Sequence, residues 1–80
     1  MKVSLTGSLR SAAGGVDSID IVAEDIRELL TKVLERYPRM EEHMDTGIAV
    51  SINGEIYRDH WAEKIPQDAE VFLLPRLQGG

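Results

Sequence analysis

Cysteine is absent from the sequence, which excludes a disulfide framework, a thiolate metal site and a cysteine nucleophile together. Also missing is any apolar run of about 18 residues, the length that crosses a bilayer. The opening Met1-Lys2-Val3-Ser4-Leu5 lacks the apolar stretch of a signal peptide. A cytoplasmic protein is therefore expected. Positive charge is the scarcer sign: nine Lys and Arg against fourteen Asp and Glu leave a net charge of −5. That balance opposes attraction to phosphate backbones and anionic lipid, so neither nucleic acid nor membrane is an expected partner. No internal repeat and no low-complexity segment occurs.

Several chemistries fail on spacing. His43 stands among Glu41, Glu42 and Asp45, but there is no helical pair of histidines and no ligand triad, so no metal site is expected. His60 has no serine or cysteine nucleophile signature beside it, and with Trp61 it reads as packing over a sheet edge. Gly14-Gly15 lacks the strand, glycine spacing and helix of a dinucleotide site, and reads as a hairpin turn.

What remains is an ordinary globular composition, 42% apolar and 29% charged in 80 residues, which makes one small domain able to fold alone. Val3, Leu5 and Leu9 alternate as in a half-buried strand. Residues 11–15 form a small-residue turn, and Val16, Ile19, Ile21 and Val22 supply a second β-rich run, expected to pair with the first as a hairpin. From Ala23 the period changes: Ile26, Leu29, Leu30, Val33, Leu34 and Tyr37 make one apolar stripe of an amphipathic helix. Asp25 and Glu28 suit its capped start, and Pro38 limits its length. Residues 40–47 read as a polar connector anchored by Met40 and Met44. Ile48, Val50 and Ile52 then alternate as a strand, Asn53-Gly54 signals a type I′ turn, and Glu55-Ile56-Tyr57 returns. Residues 59–68 read as irregular, with one turn around His60-Trp61-Ala62, before the last strand at 70–74. The expected architecture is α+β: a mixed sheet of four to five strands with one long helix packed across it.

Residues 1–75 are expected to form the domain and 76–80, Arg76-Leu77-Gln78-Gly79-Gly80, a flexible tail. If Val71 and Leu73 face the core, alternation sends Phe72 and Leu74 to the other face near that tail, as a docking patch for a partner. Arg76 and Leu77 join them as contact residues. A Gly-Gly end suits acyl activation, because without side chains it threads a narrow channel and leaves the Gly80 carboxylate unobstructed.

The hairpin Ile52-Asn53-Gly54-Glu55, the segment Asp68-Ala69-Glu70-Val71-Phe72-Leu73-Leu74-Pro75 and the terminal Gly79-Gly80 resemble the MoaD/ThiS family of ubiquitin-like sulfur carriers. The likeness runs the length of the chain and is nearer in pattern to MoaD, the small subunit of molybdopterin synthase, than to the thiamin carrier. It implies a β-grasp fold and a carrier that is not itself catalytic. It also implies that a MoeB/ThiF-like activating enzyme adenylates Gly80 with ATP, that a thiocarboxylate forms there, and that a synthase such as the molybdopterin synthase large subunit takes the sulfur. Gly79 would thread the channel. No cofactor is expected to reside on the chain, since ATP is used by the activating partner. A ubiquitin-like modifier joined through Gly80 to target lysines, and a plain interaction domain that ignores its tail, remain open, as does the final sulfur acceptor.

Overall fold

In the structure, a computed structural model that describes residues 1–58 and 60–75, strand β1 (Lys2–Leu5) buries Val3 and Leu5 and leaves Ser4 half-buried on the other face. The strand does not continue to Leu9. Gly7 takes φ 56° and ψ −135°, a region open in practice only to glycine, and the chain turns there into helix α1 (Ser8–Ala12). Leu9 and Ala13, one helical turn apart, are both buried, so the 3.6-residue period prevails over the apparent alternation of Leu5 and Leu9. Gly14 and Gly15, at φ 73° and 90°, stop this helix, with the Gly15 N–H donating to the Arg10 carbonyl at 2.7 Å. They are a helix terminus and not a tight hairpin turn.

Strand β2 (Ser18–Asp20) is shorter than the β-rich run suggested: Ile19 is buried, while Val16 and Val22 lie outside the strand and Val22 is exposed. It pairs antiparallel with β1, Val3 opposite Ile19, so the expected pairing holds although a helix intervenes. Helix α2 (Ile26–Arg36) follows its predicted stripe, burying Ile26, Leu29, Leu30 and Val33. Its start is fastened as expected: the Asp25 carboxylate accepts the Glu28 N–H at 2.8 Å, and the Glu28 carboxylate accepts the Glu24 N–H at 2.7 Å. Such caps are worth about 1 kcal/mol.

The segment read as a polar connector is helical. A 3-10 turn at Pro38–Met40 leads into α3 (Glu41–Thr46), which ends at Gly47 with φ 115°. Met40 is fully buried and Met44 half-buried, so the methionine anchoring was correct even though the conformation differed. Strand β3 (Ile48–Ile52) buries every second residue. Asn53 at φ 51° and Gly54 at φ 89° form the turn into β4 (Glu55–Tyr57), both with the positive φ a type I′ turn needs. His60 does meet the sheet edge, its ring edge to face with Tyr57 of the outermost strand β4, whereas Trp61 turns toward α2. The Trp61 carbonyl accepts the Arg27 N–H at 2.9 Å, which holds the loop against the first turn of α2.

Strand β5 (Val71–Pro75) completes a five-stranded sheet in the order β2-β1-β5-β3-β4. β5 runs parallel to β1 and antiparallel to β3. The buried residues of the strands, α2, Leu9 and Met40 form one apolar cluster. Among the described residues the long helix is joined by two short ones, and no helix is long and apolar enough to cross a membrane.

Candidate functional site

The alternation of β5 decides what its two faces can do. Val71 and Leu73 are buried, and Phe72 and Leu74 are half-buried on the opposite face, as the period of two requires. Register then builds a surface around them. Phe72 lies between Ser4 of β1 and Ser51 of β3, and Ser51 is itself opposite Ile56 of β4. Leu74 lies opposite Ala49. Phe72, Leu74 and Ala49 therefore form an apolar patch on the face turned away from the core, and Ile56 stands in the same row as Phe72 with Ser51 between them. Ile56 was not picked out from the sequence. It is 57% exposed, and only the pairing of β3 with β4 shows that it shares a row with Phe72.

The end of the patch is fixed by β1 and the turn after it. The Leu73 carbonyl accepts from the Thr6 hydroxyl at 3.0 Å and from the Thr6 N–H at 3.3 Å. A Cβ at Gly7 would stand 3.2 Å from Pro75 Cγ, so the ring of the last described residue packs directly against a glycine. Asn53 ties the other end: its N–H donates to the Glu70 carbonyl and its side chain accepts the Glu70 N–H, both at 2.9 Å. The approach to β5 at Glu70 and its middle at Leu73 are thus each held by hydrogen bonds from a different part of the fold. Arg76, Leu77, Gly79 and Gly80 lie outside the described residues.

At the sheet edge the Tyr57 hydroxyl donates to Glu55 at 2.7 Å. That hydrogen bond to the carboxylate, aided by the nearby negative charge, raises the phenol pKa above its usual 10.0. His60 meets Tyr57 edge to face, ring centres 5.7 Å apart. His43 sits in α3, beside an open cleft it shares with Ser8 and Arg39. Among the described residues no three His, Asp or Glu side chains are grouped to hold a metal.

No family model matches the chain, and no curated protein matches it. Solved structures do. A chain of the Amycolatopsis orientalis BexX/CysO complex superposes with a TM-score of 0.76 at 22% identity, over 99% of this chain and 98% of that one. A Pyrococcus furiosus protein described as molybdopterin converting factor subunit 1 matches with a TM-score of 0.73 at 22% identity, over 95% of each chain. The chain has the ubiquitin-like β-grasp fold. Small archaeal modifier protein 1 of Methanosarcina acetivorans matches with a TM-score of 0.73 at 26% identity, over 99% of this chain and 94% of that one. This β-grasp domain thus resembles proteins of the MoaD/ThiS type in structure, and its neighbours include a molybdopterin converting factor subunit and a small archaeal modifier of the same size.

Proposed function

We propose that this β-grasp domain is a sulfur carrier of the MoaD type, whose working group is the Gly80 carboxylate. The observation that carries the reading is the apolar patch of Phe72, Leu74 and Ala49, with Ile56 one strand further on, which lies on and around the strand that leads into residues 76–80. A partner seated there has the terminal segment within reach. In the first step the Gly80 carboxylate attacks the α-phosphate of ATP held by a MoeB/ThiF-like activating enzyme, releasing pyrophosphate and forming an acyl-adenylate. A hydrosulfide-equivalent donor then displaces AMP and leaves the thiocarboxylate. A synthase such as the molybdopterin synthase large subunit accepts the sulfur. That a neighbour of this fold was solved in complex with BexX supports a partner synthase.

Residues 1–75 form the docking body in this scheme and 76–80 the reactive extension. Phe72, Leu74, Arg76 and Leu77 bind the partner, and Gly79 threads its channel. The likeness to small archaeal modifier protein 1 favours a second reading, in which a target lysine amine attacks the same activated Gly80.

Intact mass spectrometry of the protein from its native cells, with alkylation to trap an acyl-SH, tests both. Replacement of one oxygen by sulfur at Gly80 is the expected result. Branched peptides carrying Gly79-Gly80 on lysine would favour the modifier, and a terminus without either modification would remove both readings.

A further inference from the structure

The open cleft beside His43 has two walls. One is α1, through Ser8, Ser11 and Ala12; the other runs from Pro38 and Arg39 through Glu41 and Glu42 to Asp45. Both walls meet the end of β5. α1 packs on β5 and starts directly after Gly7, the residue against which the Pro75 ring lies. Asp45 stands in the last turn of α3, three residues before Ile48, which is paired with Pro75. Pro75 also shares the parity of Val71 and Leu73, which puts its ring on the helix-bearing side of the sheet. Residue 76 therefore begins at the mouth of this cleft.

The charges of the cleft are unbalanced. Glu41, Glu42 and Asp45 are set against one guanidinium, Arg39, and among the described residues none of these four has an ion-pair partner. Asp45 follows Glu41 by four positions and Glu42 by three, spacings at which like charges on a helix repel. Arg10, the other cation of α1, is turned to Asp17 at 3.5 Å. The carboxylate next to Pro75 in the fold is that of Asp45, whereas Arg39 lies in the turn before α3.

We propose that the occupant of this cleft is the chain's own terminal segment, residues 76–80, docked there until a partner draws it out, with Arg76 on Asp45 and Glu42 and Leu77 on Ala12. The point at which the chain leaves β5 places the segment there, and the charges decide which side chain anchors it. Neighbouring side chains of an extended segment point to opposite sides, which sends Arg76 to the α3 wall and Leu77 to the α1 wall. Five extended residues reach at most about 17 Å, enough to follow α3, about 9 Å long. A segment tethered at the mouth meets the cleft at an effective concentration of roughly millimolar order, so contacts too weak to capture a separate molecule suffice. The Gly80 carboxylate takes no part, since Glu41 and Glu42 outnumber Arg39 around the rest of the cleft. Where Gly80 is the working group, a consequence that rests on the carrier reading above, only the undocked fraction is open to an activating enzyme, and the apparent affinity falls by that fraction.

The sequence holds no cysteine, so Gln78→Cys takes a single nitroxide label in the whole chain. Amide NMR broadening, measured against the same sample reduced with ascorbate, shows where the labelled segment spends its time. Stronger broadening at Ser11, Ala12 and Glu42 than at Ala49 and Ser51 on the outer face is expected. Arg76→Gln, or Glu42→Gln with Asp45→Asn, should lower the ratio of docked to undocked segment about two- to fivefold. Arg76→Glu should remove the bias, and Glu42→Lys with Asp45→Lys in the same chain should restore it. Glu42 and Asp45 are exposed and no residue of α3 is buried, and the amide spectrum of each variant establishes that it is folded. The readout is blind to the chemistry at Gly80, so failure of the carrier reading and failure of this one are told apart. Broadening spread evenly over both faces, a bias that none of these substitutions moves, or broadening of unlabelled chains mixed with labelled ones, which marks contact between copies, would overturn the proposal.

Discussion

At Gly7 two constraints meet that no other residue type satisfies. Its backbone is at φ 56° and ψ −135°, and a side chain there would press on Pro75 at 3.2 Å. Gly7→Ala is expected to lower stability by about 1–3 kcal/mol, read as a lower denaturant midpoint. Thr6 gives a milder and more specific case. Its hydroxyl and its N–H both donate to the Leu73 carbonyl, so loss of the hydroxyl does not strip that acceptor of every partner. Thr6→Val should cost about 0.5–1.5 kcal/mol and Thr6→Ser much less, a difference that thermal melts of the pair would resolve. Neither residue stood out in the sequence, where Gly7 looked like an interruption in a strand. A glycine's value here comes from a neighbour 68 positions later, and only the tertiary structure supplies that neighbour.

Among the elements, α2 and the β3–β4 hairpin were legible because each carries a local signal strong enough to survive any tertiary context. The stripe Ile26, Leu29, Leu30, Val33 has one possible period, and Asn53-Gly54 favours one turn. Helix α1 was hidden because Leu9 fits an alternation with Leu5 as well as a helical spacing with Ala13. Its burial is now explicit, and Leu9→Ala should destabilise by about 2–5 kcal/mol in denaturant titrations. Helix α3 was hidden for the opposite reason: Glu41-Glu42-His43-Met44-Asp45-Thr46 has almost no apolar pattern to read, and no residue of it is buried. The docking patch was half visible. Phe72 and Leu74 follow from alternation within one strand, whereas Ile56 depends on the register between two, which a single short run cannot specify. Because Ile56 is exposed, Ile56→Asp should change the melting midpoint little. If the patch guides the partner, the same substitution should sharply reduce the thiocarboxylate recovered at Gly80 from cells.

For the molecule as a whole, the sheet presents short outer strands and a long middle. The edges, β2 and β4, have three residues each, which offers little template for pairing with another chain. The central place of β5 has a mechanical side. A segment drawn into another protein's channel transmits its pull to the strand it continues. β5 is paired along its whole length with β3 and over Val71–Leu73 with β1, and a tug along its axis loads both ladders in shear together. An edge strand pulled the same way would be held by one ladder alone. The strand order therefore makes the handle by which this domain would be gripped also the part hardest to pull out.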